Sequence, residues 1–387
     1  MRLLHRAALP AVLTSSLLLA GCADKVDADD PRALTVSSSA DACEVSKAEV
    51  PAGTVSFEVT NTGDAVTEFY VLAQDGLQIL GEVENIGRDL SRTLTVQLPQ
   101  GDYVTACKPG MKGDGIRADF TVSASDEKVE VSADEKKLVD TAVVNYRAYV
   151  QDQADQLLTR TEEFARLYTS GKDDEARALY PVARIHWERI EPVAESFGDL
   201  DPAMDLREAD VEQGDEWTGW HRMEKDLWPA RAEGYTPLTQ AEREKYAADL
   251  VANTKKLDGL VDADDFTFTI DQVANGSTAL LEEVAAGKVT GEEEYWSRTD
   301  LYDFQANLDG ARVAFEGVRP VLDSKDPELA ETLDARFTAL EQLLAQYRDG
   351  DGFVGYDELD TQDVKQLKDG VDALSEPLST LAAAVLA

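Results

Sequence analysis

The stretch Thr54-Val55-Ser56-Phe57-Glu58-Val59-Thr60 alternates polar and apolar side chains and stops at Asn61-Thr62-Gly63-Asp64. A period of two marks a strand with one buried face, and the stop is turn chemistry. The same style extends outward from it, at residues 68–72, 93–98, 102–107, 117–122 and 128–131. Turns between them carry Asp75-Gly76, Pro99-Gln100-Gly101 and Gly113-Asp114-Gly115. Short strands at this spacing over residues 33–132 predict an all-β Greek-key sandwich.

From residue 133 the period changes to about 3.6. Leu138, Ala142, Val143, Tyr146 and Val150 fall on one helical face, continued by Leu157, Phe164 and Leu167. Gly171 interrupts, and a second helix is predicted over 173–197. Further helices fit 217–228, 239–257, 266–286, 300–322, 327–347 and 360–386, with Pro202, Gly234, Pro237, Gly259, Gly287 and Gly291 among the breakers between them. Residues 133–387 read as an all-α bundle of seven or eight helices. A chain of 387 residues, 43% of them hydrophobic, suits two such domains.

The charge balance is lopsided: 76 acidic against 37 basic side chains, a formal charge of −39. Such a surface repels phosphate backbones and anionic headgroups, so nucleic acid is not an expected partner. Most of these charges keep the protein soluble, and bulk acidity alone makes no metal site. The N-terminus is different. Arg2 and Arg6 precede an apolar run from Ala7 to Leu19, too short for a stable membrane span, and Leu19-Ala20-Gly21-Cys22 follows. Residues 1–21 are expected to be a lipoprotein signal peptide, because Leu-Ala-Gly-Cys resembles a bacterial lipobox. That resemblance implies lipidation of Cys22 and an exported protein tethered to the outer face of the cell membrane, in the periplasm or cell envelope. Residues 22–32 are acidic, lack periodicity and read as the tether.

Two pairs in the helical half carry ligand chemistry: Glu188 with Glu191, and His221 with Glu224. A spacing of i, i+3 puts both members on one helix face, where they can converge on a cation. Carboxylate bundles use this device for iron. Oxygens with one imidazole suit iron, manganese or zinc rather than copper(I). Such pairs also arise on solvated faces, and a histidine at the end of Trp217-Thr218-Gly219-Trp220-His221 is equally at home in a core. His186 lies on the wrong side of its helix to join Glu188 and is read as structural.

Three blocks narrow these alternatives. Residues 188–202, from Glu188-Arg189-Ile190-Glu191-Pro192 to Asp201-Pro202, resemble the imelysin-like domain of EfeO-type iron-uptake lipoproteins. Thr218-Gly219-Trp220-His221-Arg222-Met223-Glu224 is similar to that family's His-x-x-Glu signature, and Tyr295-Trp296-Ser297-Arg298-Thr299-Asp300-Leu301-Tyr302-Asp303-Phe304-Gln305-Ala306-Asn307 matches a third block. The resemblance covers nearly the whole mature chain. It implies a cupredoxin-like sandwich followed by an imelysin-like metal-binding domain. It also implies iron (Fe2+ or Fe3+) as cargo, with Zn2+ and Cu2+ as other candidate ions. The implied ligands are His221 and Glu224, joined by Glu188, Glu191 and Asp205, with Arg207, Asp303 and Asn307 orienting them. A membrane iron permease and a haem peroxidase-like protein, as in an EfeUOB-like system, are the implied partners.

The sandwich contains no histidine, which excludes a blue-copper centre. Cys43 and Cys107 fit a disulfide in an oxidising compartment. The family resemblance leaves a second reading, a metal site of reduced Cys43 and Cys107 with Glu68 and with Glu84 or Asp102. The expected function is iron capture and delivery by a protein that is not an enzyme. Two other readings are weighed beside it. A metallopeptidase of the His-Glu-x-x-His or His-x-x-Glu-His type needs a second histidine that neither motif has. An acidic-polysaccharide binder would use the five tryptophans between Trp187 and Trp296, which in a helical bundle are more naturally core.

Overall fold

The computed structural model of the chain describes residues 30–387 apart from 112, 114, 126–131, 212, 213 and 215. The expected signal peptide, Cys22, the tether up to residue 29 and the strand expected at 128–131 lie outside the described residues.

The β-rich half contains nine strands among the described residues: β1 (Ala33–Ser38), β2 (Cys43–Val45), β3 (Glu49–Pro51), β4 (Gly53–Asn61), β5 (Thr67–Ala73), β6 (Ile79–Ile86), β7 (Ser91–Leu98), β8 (Gly101–Cys107) and β9 (Ile116–Ser123). They form two sheets, ordered β2-β1-β4-β7 and β3-β9-β8-β5-β6. The alternation read in β4 holds: Val55, Phe57 and Val59 are buried between the sheets. There the Phe57 ring meets those of Phe69 and Phe120 at 5.2 and 5.5 Å. Strands β1, β2, β3 and β6 were not singled out in the sequence. β6 is the most consequential, because its outer face meets the helices.

The helical half has eleven segments among the described residues: α1 (Ala133–Thr169), α2 (Asp173–Glu188), α3 (Glu191–Glu195), α4 (Leu200–Asp205), α5 (Trp220–Leu227), α6 (Gln240–Val261), α7 (Ile270–Ala286), α8 (Asp300–Lys325), α9 (Pro327–Leu344), α10 (Thr361–Leu378) and α11 (Leu381–Leu386). Local chemistry sets several starts. Ser132 caps α1 by accepting from the Glu135 N–H, and Thr239 with Glu242 forms a capping box on α6. The expected helix over 173–197 is broken after Glu188. Pro192 has no N–H to give the Glu188 carbonyl, and Asn307 Nδ2 donates to that oxygen instead, at 2.8 Å. The expected helix over 360–386 likewise divides at Ser379-Thr380.

The two halves are hydrogen-bonded together along α7. Asp271 accepts from the Gln97 N–H at 2.7 Å, and Asn275 Nδ2 donates to Thr95 O at 3.0 Å. Glu282 accepts from Arg92 Nη1 at 2.9 Å and from the Glu84 N–H at 3.3 Å. No helix among the described residues is long and apolar enough to cross a membrane.

Candidate metal centre

The centre is built around α5. Its first turn is placed by Gly219, whose φ is 85°. A Cβ there would fall 2.1 Å from the Met204 carbonyl oxygen, so only glycine lets α5 run this close to α4. That approach sets His221 beside Asp205, the last residue of α4. Trp220 anchors the turn from the other side, packed on Phe164 at 5.0 Å between ring centroids.

The two nitrogens of His221 face different groups. Nδ1 lies 3.3 Å from Glu224 Oε2, one turn along α5. Nε2 lies 3.4 Å from Asp205 Oδ1 and 3.3 Å from Glu293 Oε1, and forms no hydrogen bond with either. Glu224 is itself pinned, its Oε1 accepting the backbone N–H groups of Trp296 at 2.8 Å and Ser297 at 2.6 Å. A carboxylate held on Nδ1 fixes the ring and frees Nε2 for an ion. Ligand-capable atoms of Asp205, His221 and Glu293 lie within 4.8 Å of one another, as do those of His221, Glu224 and Glu294. All five residues are buried. His221 and Glu293 of the first trio border a cavity of about 440 Å³ that is also lined by Arg207, Glu292, Tyr295 and Trp296. The second lies deeper. There Glu294 Oε2 accepts from Ser297 Oγ at 2.8 Å, and Oε1 pairs with Arg184 Nε at 2.6 Å.

Two fully buried cations sit among the carboxylates. Arg184, on α2, hydrogen-bonds Asp205 and Glu188 and is ion-paired with Glu294. Lys288 Nζ lies 2.9 Å from Glu191 Oε2, 3.2 Å from Glu188 Oε2 and 3.6 Å from Glu283 Oε2. The titration follows from this layout. Burial pushes the Glu294 carboxyl up, helped by Glu224, to about 8. Burial also pushes up Glu293 and Asp205, but nearby cations outweigh it: Lys288 and His221 hold Glu293 well below the usual carboxylate range, and Arg184 and His221 hold Asp205 below it. For His221, burial favours the neutral ring, yet the negative charge of Asp205, with Glu224 on Nδ1 and Glu293 nearby, holds its pKa well above the ordinary value. An ion arriving at Nε2 must therefore expel a proton.

Comparison with known proteins agrees with both halves. The imelysin (peptidase M75) family profile matches residues 142–381, and the cupredoxin-like domain profile matches residues 11–122. The iron uptake system component EfeO of Escherichia coli K12 is 34% identical over 381 residues, covering 96% of this chain and 94% of that protein. The component of the same name from Yersinia pestis is 35% identical over 380 residues, covering 97% and 96%. The chain belongs to the EfeO family of imelysin-domain proteins.

In this EfeO-type chain the structure brings His221, Glu224 and Asp205 together. Glu188 and Glu191 lie in the same interior but face Lys288 and Arg184, and neither joins the two trios around His221. Glu293 and Glu294, which complete those trios, were missed in the sequence, as were Arg184 and Lys288. Of the expected orienting groups, Arg207 pairs with Glu293 at 3.5 Å. Asn307 bonds the Glu188 carbonyl and Glu191 Oε2, while Asp303 is fully buried with no hydrogen bond to either carboxyl oxygen. His186 is structural as expected: its Nδ1 bonds Gln153 at 2.9 Å, and burial with Arg189 lowers its pKa to about 4. Trp187 and Trp220 are core residues, offering no ring to a sugar.

The sandwich requires a correction. Cys43 and Cys107 form a disulfide, so their sulfurs are not thiolate ligands. Cys107 pairs in register with Phe69 and points into the sandwich core. By strand alternation Glu68 takes the other face of β5, where it accepts from Tyr70 OH at 2.7 Å and faces Lys108 Nζ at 3.8 Å. Glu84 lines a cavity of about 370 Å³ with Tyr70, Glu82 and, from the helical half, Asp201. Asp102 is exposed and accepts from Thr121 Oγ1. The disulfide reading of Cys43 and Cys107 therefore holds, and the alternative group of two sulfurs with Glu68 and Glu84 is not assembled.

Proposed function

We propose that this protein is the iron-binding component of an uptake system, taking the ion at His221 Nε2 between Asp205 and Glu293. Glu224 holds the ring by Nδ1, and Glu294 stands behind as a further oxygen donor. One observation carries the reading: a buried imidazole nitrogen without a hydrogen bond faces two carboxylate oxygens at 3.3–3.4 Å, at the edge of a cavity. Two ionised carboxylates and one imidazole suit Fe2+ or Fe3+ and also accept Zn2+. The relatives' shared name, iron uptake system component, supports iron as the cargo. We assign export and a lipid anchor at Cys22, which keep the carrier beside a membrane permease to which it delivers iron, with a haem peroxidase-like protein as the third component. The protein is a carrier, not a peptidase: among the described residues the centre contains one histidine, and a zinc peptidase of the motif types above needs two.

The test is calorimetric titration of the purified chain with Fe2+ under anaerobic conditions and with Zn2+. It is run beside a variant carrying His221→Ala and Glu224→Ala. Stoichiometric binding by the parent and none above background by the variant is expected. Equal stoichiometry and affinity in the two would remove the site.

A further inference from the structure

The His221 centre draws its carboxylates from two kinds of backbone. Glu224 lies on α5 and Asp205 ends α4, whereas Glu293 and Glu294 lie on residues 291–298, a run of turns between α7 and α8. A ligand on irregular backbone keeps its place to within about half an ångström only where other parts of the chain grip the segment. Here the grip comes from far along the sequence. Between α9 and α10 the chain folds back as a short hairpin, β10 (Arg348–Asp349) with β11 (Gly352–Phe353), and then crosses the segment at Tyr356. The Phe353 ring seats this strap on α8, 5.4 Å from the ring of Tyr302.

Tyr356 is buried and holds both ends of the segment. Its N–H donates to Arg298 O at 2.9 Å, and its ring packs on Gly291, where a Cβ would fall 2.3 Å from Cδ1. Its hydroxyl donates to Val289 O, just upstream. Gly291 has a φ of 74° and Arg298 one of 65°, so the backbone bends into the left-handed region at both points that Tyr356 touches. Arg231, shortly after α5, adds a second hold. Its Nη1 donates to the carbonyls of Trp296 and Ser297, each at 2.9 Å, and its Nη2 faces Asp357 of the strap at 3.5 Å. The N–H groups of the same two residues grip Glu224 Oε1.

We propose that Tyr356 and Arg231 are positioning residues for metal capture: they clamp residues 291–298 so that Glu293 meets His221 Nε2, and the strap thereby sets the affinity of a centre to which it gives no ligand. Tyr356 does not line the cavity beside His221, so its effect on an ion passes through the segment it holds. Without the clamp, the segment would become ordered only as the ion bound, and that lost freedom would weaken binding. The proposal deepens the metal reading of the His221 centre and rests on it.

The test joins calorimetry with Zn2+ to hydrogen exchange read by mass spectrometry, both on the purified full chain. Tyr356→Ala is expected to speed exchange in peptides covering residues 291–298 of the metal-free protein, and to weaken Zn2+ binding about tenfold. Tyr356→Phe, which keeps the ring and the N–H, should stay within about threefold of the parent. The loss should shrink where Glu293 is already neutral: Tyr356→Ala added to Glu293→Gln should cost no more than about threefold further. Fully additive losses would make Tyr356 a general support of the fold and overturn the proposal, as would parent-like exchange or affinity in Tyr356→Ala. If that variant does not fold, Arg231→Met decides, because Arg231 is partly exposed. A loss of roughly three- to tenfold in Zn2+ affinity is expected, partly restored in Arg231→Lys, and an unchanged affinity overturns the proposal. Parent-like binding by Tyr356→Ala, beside none by the variant carrying His221→Ala and Glu224→Ala, would sink the clamp alone. Parent-like binding by both would sink the metal reading and the clamp with it.

Discussion

Glu188 with Glu191 and His221 with Glu224 are the same motif on paper: two ligand-type residues three apart beside tryptophan. In the folded protein they part company. His221 and Glu224 lie on one unbroken helix, so the spacing delivers what it promises, and Glu224 reaches Nδ1 at 3.3 Å. Glu188 and Glu191 lie on either side of a break imposed by Pro192, and their carboxylates converge on Lys288 instead. The difference teaches that i, i+3 spacing predicts a shared partner only where the helix persists. It also teaches that the partner of a buried acidic pair is as readily a lysine as a metal.

The contrast is broken most severely by removing Arg184, which spans both pairs through Glu188, Asp205 and Glu294. Stripping one member from a buried ion network leaves charges uncompensated, at a cost of about 3–5 kcal/mol. Arg184→Met should lose that much in urea unfolding followed by tryptophan fluorescence, since Trp187 and Trp220 report on this core. A loss below about 1 kcal/mol would mean that the carboxylates protonate or rearrange at little cost.

Glu293 sharpens the comparison next. If the ion sits at Nε2, Glu293→Gln removes one of its two nearest carboxylates, and Zn2+ affinity should fall roughly 10- to 100-fold, about 1.4–2.8 kcal/mol. Calorimetry measures this directly. An unchanged dissociation constant would shift the ion to the deeper trio of His221, Glu224 and Glu294.

That Glu293 had to be found in the structure says where sequence reading stops. The alternation of Thr54–Thr60, the helical stripe from Leu138 and the His221–Glu224 pair are local and periodic, so they were legible. Gly291-Glu292-Glu293-Glu294-Tyr295 has no period, and three consecutive glutamates in a chain of charge −39 look like solvated surface. One signal was available: the run abuts Tyr295-Trp296, the start of the third family block, so its burial could have been suspected. Arg184 was hidden differently. Four residues before Glu188, it reads as an ordinary exposed i, i+4 pair, and only tertiary packing buries both. The Cys43–Cys107 bond was foreseen as one of two outcomes. What excluded the other was strand parity, which puts Glu68 on the face opposite Cys107 and is fixed by register.

A smaller effect, on stability rather than affinity, distinguishes the acidic seam between the halves from the centre. Burial first, then Glu68, raises Glu82 to about 8; burial and Asp205 raise Asp201 to about 8; burial raises Glu282 to about 7. Carboxyls with folded pKa values raised above their unfolded values favour folding fully below about 4 and lose that contribution as pH rises through 7 and 8. The metal-free protein should therefore melt several degrees lower at about pH 8 than at about pH 5. Glu82→Gln, which cannot ionise, should flatten the slope. A melting temperature that rises over this interval, or a slope unchanged in Glu82→Gln, would show that these groups are ionised in the fold.

The smallest expected effect separates the two domains as metal binders. Glu68 was the leading carboxylate of the alternative site in the sandwich, yet it is engaged by Tyr70 and Lys108 and is cut off from bonded sulfurs by the sheet itself. Glu68→Gln keeps an acceptor for Tyr70 and removes one negative charge from the seam. It should leave Zn2+ stoichiometry unchanged and affinity within about twofold, because no direct ligand is lost. The measurement is the calorimetric titration used for Glu293→Gln, under the same conditions, so the two carboxylates are compared on one scale. If Glu68→Gln abolished a binding event that His221→Ala left intact, the sandwich would hold an oxygen-liganded ion of its own. The chain would then have two metal centres, one in each half, rather than one.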